Sequence, residues 1–176
     1  RSFVITFLAY KDLKLIKKQA FENTCREYGN KILSQLKVNA QVLYSSAAFI
    51  ESSDSISRDE WKTFQSLNKS LTELPGILGV GFILKIHPES LASFEQRIKD
   101  EGFPGFRVKP EGEREIYTSV LFIEPFTGKN LNAFGFDGYT EPERNKAMKM
   151  ACENDFVTIS EKLTLKQETD SLVQPG

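Results

Sequence analysis

Several features common in enzymes and in nucleic-acid-binding proteins are scarce in this chain of 176 residues. Its one histidine, His87, excludes a two-histidine metal site and leaves any histidine-based catalytic triad with a single candidate base. Lysine and arginine number 23 against 24 aspartate and glutamate residues, so the net charge is −1. Without a basic excess, the composition favours neither a nucleic-acid partner nor a polybasic membrane-surface role.

The sequence also lacks the motifs that carry common catalytic chemistry. The two cysteines, Cys25 and Cys152, form no CxxC pair, so a structural zinc site is not expected. They either pair in an oxidising compartment or are small buried apolar residues. Nucleophile-elbow, metalloprotease and P-loop motifs are absent. We therefore predict no metal, no cofactor and no enzymatic activity. A hydrolase would depend on His87, whose position before Pro88 favours a surface or capping role.

The sequence contains no complete transmembrane segment. The stretch Phe3–Tyr10 is apolar, but a membrane-spanning helix needs about 20 such residues. It is either the end of a membrane helix that starts before Arg1 or the first turns of a soluble helix.

Hydrophobic residues are plentiful, at 40% with 14 phenylalanines, which is enough to build a core. The first fifty residues predict one long helix, because Lys11–Ile50 contains no proline and one glycine. Its apolar residues recur every three or four positions with one stutter, at Phe21, Cys25, Tyr28, Ile32, Leu36, Ala40, Leu43, Ala47 and Ile50. Such a stripe needs a partner, either a second copy or the rest of the domain. An ordinary core helix is the alternative, but it does not explain the length.

Short helices and strands follow the long helix. Ser57–Glu60 is a capping box that starts a second helix, with Trp61, Phe64, Leu67 and Leu71 on one face. Strands are predicted at Ile77–Ile86, Ile116–Pro125, Leu131–Asp137 and Phe156–Ile159, with helices after Pro88 and after Thr140. The fold class is therefore α+β: a long N-terminal stalk helix (residues 1–55), then an antiparallel sheet with flanking helices (residues 56–176).

The order of these elements resembles a known family. The matching segments are Ile56–Phe64, Leu74–Phe82, Phe94-Glu95, Gly102–Phe106, Ile123–Pro125, Asn130, Ala133–Asp137 and Arg144–Ala151. Together they resemble the CHASE domain, the extracytoplasmic sensor of histidine kinases, diguanylate cyclases and cytokinin receptors. The resemblance implies a PAS-like second part and a membrane-anchored full-length receptor. It also implies a periplasmic or extracellular location and a homodimer formed through the stalk helix. CHASE domains continue past Gly176, so we expect the PAS-like part to be truncated.

The resemblance also implies a site for a small-molecule ligand, whose identity the sequence does not give. In cytokinin-binding members an acidic residue contacts the ligand ring, and Asp137 matches it. Ile159 and Thr169 match an apolar and a hydroxyl residue of the same pocket. The predicted strands add apolar lining residues, namely Val80, Phe82, Phe122, Phe134 and Phe136. Asp137 has a local alternative, because aspartate before glycine is a good turn former. A dimerisation or interaction module of such a receptor, without a ligand of its own, is the competing hypothesis.

Overall fold

The computed structural model describes residues 2–68, 73–74 and 76–163, with the side chains of residues 2–11 left out. Leu71 and Thr169 lie outside the described residues. The chain divides into two units, residues 1–45 and residues 46–176. Helix α1, Ser2–Glu51, confirms the predicted long helix. In the part of the chain that the structure describes, none of the helices combines the length and apolar character needed to cross a membrane.

The first unit exposes its apolar stripe to solvent. Phe21, Tyr28 and Ile32 are each between 61% and 69% exposed. Cys25 lies in the same stripe and is a free, exposed thiol, and Cys152 is also free and exposed. Both predictions for the cysteines, a disulfide or burial as apolar residues, are therefore wrong.

Helix α2, Arg58–Asn68, begins at the predicted capping box. Ser57 Oγ accepts from the backbone N–H of Glu60 at 3.2 Å, and Glu60 Oε2 accepts from the backbone N–H of Ser57 at 2.8 Å. Two N–H groups that a helix start would leave unpaired are thus satisfied. Trp61 is buried as predicted, whereas Leu67 is exposed, so the predicted buried face does not extend along the whole helix.

Strands β1, Val80–Ile86, and β2, Tyr117–Glu124, pair in a two-stranded antiparallel sheet. Helix α3, Pro88–Asp100, lies between them in the chain, and the strand pair is called the hairpin below. The pairing register shifts between Phe82 and Ile83: Phe82 lies opposite Phe122, whereas Ile83 lies opposite Val120. Leu121 is therefore an extra residue, a β-bulge, in β2.

The bulge reverses the alternation of the β2 side chains between the two faces of the sheet. Directly opposed residues of antiparallel strands share a face, and neighbours along a strand alternate. Phe82 and Phe122 share the first face, where their ring centroids lie 6.5 and 6.0 Å from that of Trp61. Thr118 and Val120 lie on the second face. A buried cluster on that side consists of Val120, Ile123, Ala133 and Phe136, with Ile83 and Phe126 packed against it.

The predicted strand Leu131–Asp137 is wrong for most of its length. Residues Gly128–Ala133 form a 3-10 helix, and an extended segment follows. Gly135, with φ of 80°, sits where a Cβ would lie 2.5 Å from the carbonyl oxygen of Arg107, so only glycine fits. The backbone N–H of Gly135 donates to Val120, and Phe136 forms a single bridge with Lys109. The segment thus lies beside β2 without becoming a regular strand.

Helix α4, Pro142–Asn154, confirms the helix expected after Thr140. It ends at Asp155, which has a left-handed backbone with φ of 52°. The predicted strand Phe156–Ile159 is wrong, because these residues form no regular structure. The α+β class is confirmed: a long helix precedes an antiparallel hairpin with flanking helices.

Candidate functional site

Asp137 lies on the second face of the hairpin, beside Thr118 near the start of β2, with its side chain 0% exposed. Three donors converge on one carboxylate oxygen, Oδ1. The Thr118 hydroxyl donates at 2.6 Å, the Thr118 backbone N–H at 3.1 Å and the Tyr139 backbone N–H at 3.0 Å. The last of these bonds caps the 3-10 turn Gly138–Thr140. These bonds fix the orientation of the carboxylate before any ligand arrives.

The other carboxylate oxygen of Asp137, Oδ2, is buried and accepts no hydrogen bond. Its cationic partner is Arg114, whose Nη1 lies 3.4 Å away. A buried carboxylate oxygen without a donor is costly, because it has lost its water without a replacement hydrogen bond. Oδ2 is therefore an acceptor in an already oriented position.

Arg114 is held over Asp137 by its own loop. Its Nη2 donates to the carbonyl of Pro110 at 2.6 Å and its Nη1 to that of Gly112 at 3.3 Å. Its backbone N–H donates to the hydroxyl of Tyr117 at 3.2 Å. The guanidinium carbon lies 5.2 Å from the centroid of the Tyr117 ring. All hydrogen bonds of the guanidinium thus go to carbonyls within four residues.

A cavity of about 500 Å³ lies next to this pair, and Arg114 and Tyr139 are in its wall. Asp137 contacts both residues, but it is fully buried and is not part of the cavity wall, whereas the Arg114 side chain is 20% exposed. Burial raises the pKa of Tyr139, and the nearby Cys152 and Asp137 contribute to the shift. The phenol therefore stays protonated and can donate a hydrogen bond to a bound molecule.

The predicted apolar lining residues do not share one pocket and lie in different places around the sheet. Phe82 and Phe122 line another cavity, of about 820 Å³, on the first face of the hairpin. Val80 and Phe136 are buried, the latter in the cluster of the second face. Phe134 packs against Phe103, Phe106 and Phe126, with ring centroids 5.1, 4.8 and 5.3 Å away. Phe82 and Phe122 therefore lie on the face of the hairpin opposite to that of Thr118, the strand residue that donates to Asp137.

Of the two residues matched to the pocket beyond Asp137, Ile159 is 72% exposed and Thr169 lies outside the described residues. The structure therefore does not bury Ile159 with Asp137. Whether any of the matched or lining residues contacts a ligand stays a prediction.

Arg58 links the elements around the first face. Its Nη1 donates at 2.7 Å to the carbonyl of Leu121, the bulge residue, and its Nε lies 3.3 Å from Glu101 Oε2. Three phenylalanine rings surround its guanidinium carbon at 4.6 to 5.3 Å, those of Phe103, Phe134 and Phe122. Burial lowers the pKa of Arg58, and the charge of Glu101 opposes that shift. Arg58 thus joins the start of α2 to β2 and to the residue that follows α3.

Sequence reasoning missed Arg114, Thr118 and Tyr139 as parts of the site. Thr118 did leave a signal, because a threonine followed by a serine interrupts the otherwise apolar strand Tyr117–Glu124. A polar side chain inside a buried strand requires a hydrogen-bonding partner. Arg114 lies in a polar loop, and the sequence holds no signal that would single it out from Arg107 in the same region.

Comparison with known protein families agrees with the resemblance seen in the sequence. Residues 54–176 match the model of the CHASE domain. The chain therefore belongs to the CHASE family, whose members are extracytoplasmic sensor domains of membrane receptors. No curated protein has a significant match to this chain.

Proposed function

We propose that this domain binds a small-molecule ligand through Asp137 and serves as the sensing part of a transmembrane receptor, either a histidine kinase or a diguanylate cyclase. The observation that carries the proposal is Asp137 Oδ2, a fully buried carboxylate oxygen that accepts no hydrogen bond. In this proposal a hydrogen-bond donor of the ligand reaches Oδ2 from the cavity lined by Arg114 and Tyr139.

The two roles considered for Asp137, turn former and ligand contact, use different oxygens. Oδ1 accepts from the N–H of Tyr139 and therefore stabilises the turn. That turn is satisfied without Oδ2. A merely structural aspartate would be expected to have both buried oxygens hydrogen-bonded, because most buried polar atoms in proteins are. Oδ2 has only the Arg114 guanidinium at 3.4 Å and no hydrogen bond, which favours a ligand.

A thermal-shift screen with adenine derivatives, amino acids, organic acids and short peptides tests the proposal. A ligand at about 100 times its Kd stabilises the folded state by about 2.7 kcal/mol. For a chain of this size that free energy corresponds to an increase in Tm of roughly 5–10 °C. Such a response in the wild-type protein is the expected result.

The variant Asp137→Asn locates the site. Its amide oxygen can keep the three hydrogen bonds made by Oδ1, whereas its NH₂ group replaces the free oxygen with a donor. A ligand donor is then rejected, and we expect the ligand-induced shift to disappear. Asp100→Asn changes an exposed aspartate and is the matched control. A shift that persists in Asp137→Asn would exclude Asp137 from the site.

We also propose that α1 forms a homodimer with a second copy of itself and passes the signal on to the rest of the receptor. The exposed stripe that includes Phe21, Tyr28 and Ile32 supports this, since three- and four-residue spacing is typical of paired helices. The competing function, an interaction module that binds no ligand, would keep this dimer and show no ligand-induced shift.

A further inference from the structure

Asp137 and Arg114 form an ion pair in which neither charge is fully satisfied. Asp137 Oδ2 has Arg114 Nη1 at 3.4 Å as its cationic partner but accepts no hydrogen bond from it. Arg114 directs its shortest hydrogen bond, 2.6 Å, to the carbonyl of Pro110 instead. The pair is thus close enough to cancel charge and too loose to be a strong bidentate contact.

We propose that the ligand is a small zwitterion of the α-amino acid class, whose ammonium group replaces Arg114 at Asp137 Oδ2 and whose carboxylate binds the released Arg114 guanidinium. This inference rests on the proposed function, because it assigns a ligand class to the same site. In this proposal Arg114 lies next to Asp137 when no ligand is bound, and it determines specificity by binding the ligand carboxylate.

The argument is one of charge balance. A cation alone would satisfy Asp137 but would leave the Arg114 guanidinium without its counter-ion beside a buried site. An anion alone could bind Arg114, but the Asp137 carboxylate would then be buried without any cation, which is strongly unfavourable. A zwitterion satisfies both charges and adds no net charge to the site.

The wall of the cavity suits the carboxylate end of such a ligand. Besides Arg114 it contains two lysines, Lys85 and Lys149, and the amide side chain of Asn145. Two acidic residues of the same wall, Glu115 and Glu153, are exposed, as are both lysines. The three cations therefore exceed the two acidic groups in the wall, and in the part of the chain that the structure describes Asp137 is the only fully buried aspartate or glutamate.

The test compares each proteinogenic amino acid with two derivatives that remove one charge each. The N-acetyl derivative lacks the ammonium group, and the carboxamide lacks the carboxylate. We expect at least one amino acid to raise the Tm of the wild-type chain, and both of its derivatives to bind at least ~10-fold more weakly by calorimetry, the equivalent of losing one charge-assisted contact.

Variants of Arg114 assign the carboxylate contact. We expect Arg114→Ala to weaken binding of the amino acid at least ~10-fold, because its carboxylate loses the guanidinium. The same variant should bind the carboxamide more tightly than the wild type does, because the ammonium group no longer has to displace Arg114 from Asp137. Arg114→Lys should restore part of the loss. Arg107→Ala, an exposed arginine of the same loop region, is the matched control and should bind like the wild type. The Tm of each unliganded variant checks that it is folded.

Three results would overturn the inference, and they separate it from the proposed function. A neutral donor such as adenine that binds in an Asp137-dependent manner, with no loss in Arg114→Ala, would retain the proposed function and exclude the zwitterion. An amino acid that binds Arg114→Ala as tightly as the wild type would exclude the role of Arg114. If neither the compounds of the thermal-shift screen nor the amino acids and their derivatives give an Asp137-dependent response, both the ligand class and the proposed function are excluded.

Discussion

The two units of this chain place similar apolar residues in opposite environments. In residues 1–45, Phe21, Tyr28 and Ile32 are exposed along one side of α1. In residues 46–176, Trp61 and Phe122 are buried on one face of a hairpin, and Val120 and Phe136 are buried on the other. The same apolar spacing therefore occurs on buried and on exposed faces, and helical spacing alone does not distinguish a face that packs within the chain from one that is exposed to solvent.

Removal of Trp61 should produce the largest loss of stability. Its ring packs against Phe82 and Phe122, so Trp61→Ala would leave a cavity and reduce the free energy of unfolding by about 3–5 kcal/mol. Urea denaturation followed by circular dichroism measures the loss. Leu67→Ala changes an exposed residue of the same helix and should cost less than about 0.5 kcal/mol. Equal effects of the two substitutions would contradict the burial assigned to Trp61.

Arg58 provides the next largest expected effect. Arg58→Met keeps much of the aliphatic volume but removes the donor to the carbonyl of Leu121, and we expect a loss of about 1–3 kcal/mol from that unpaired group. Arg97→Met, at an exposed arginine of α3, is the control. If the two variants unfold at the same urea concentration, the contact between Arg58 and the bulge does not stabilise the fold.

The capping box of α2 should contribute less and should depend on pH. Ser57→Ala removes the cap and should cost about 1 kcal/mol. The backbone N–H of Ser57 lowers the pKa of Glu60, with the Ser57 hydroxyl contributing. A carboxyl group with a lowered pKa stabilises the fold above its unfolded pKa and loses that effect as the pH falls through its folded pKa.

The Tm difference between the wild type and Glu60→Gln should therefore shrink as the pH is lowered from about 7 to about 3. Scanning calorimetry at several pH values measures it. A difference that stays constant across this range would mean that ionised Glu60 does not support the cap.

Substitutions in the exposed stripe of α1 should have the smallest effect on unfolding and a large effect on self-association. We expect the double variant Phe21→Glu and Ile32→Glu to raise the dimer Kd at least ~10-fold, because it places like charges on both helices at the interface. Sedimentation velocity gives the oligomeric state. Ser34→Glu, at another exposed position of the helix, is the control. A monomeric wild-type chain would exclude the proposed homodimer.

Local sequence signals predicted much of the fold. The capping box marked the start of α2, Pro88 marked the start of α3, and an apolar, β-branched run marked most of β2. Each of these signals acts within one element, through helix-end hydrogen bonds or through the period of a strand. They therefore do not depend on the rest of the structure.

One wrong prediction depends on contacts between residues that are distant in the sequence. Leu131–Asp137 reads as a strand, but the Asn130 side chain donates to the carbonyls of Leu78 and Pro125 and holds the chain in a tight turn. The candidate site also depends on such contacts. Asp137 was identified by the family resemblance, whereas the fold of a loop brings Arg114 to it. Alternation along β2 would also place Phe122 on the side of Thr118, and the bulge at Leu121 reverses this.

That single extra residue has a consequence for comparing this chain with its relatives. A relative that lacks a residue at the position of Leu121 can form a regular strand and still place the residue aligned with Phe122 opposite Phe82 and the residue aligned with Val120 opposite Ile83. A one-residue gap here with the other residues unchanged would therefore indicate that both faces keep their residues, whereas a one-residue gap elsewhere in β2 would move the residues on one side of that gap to the opposite face.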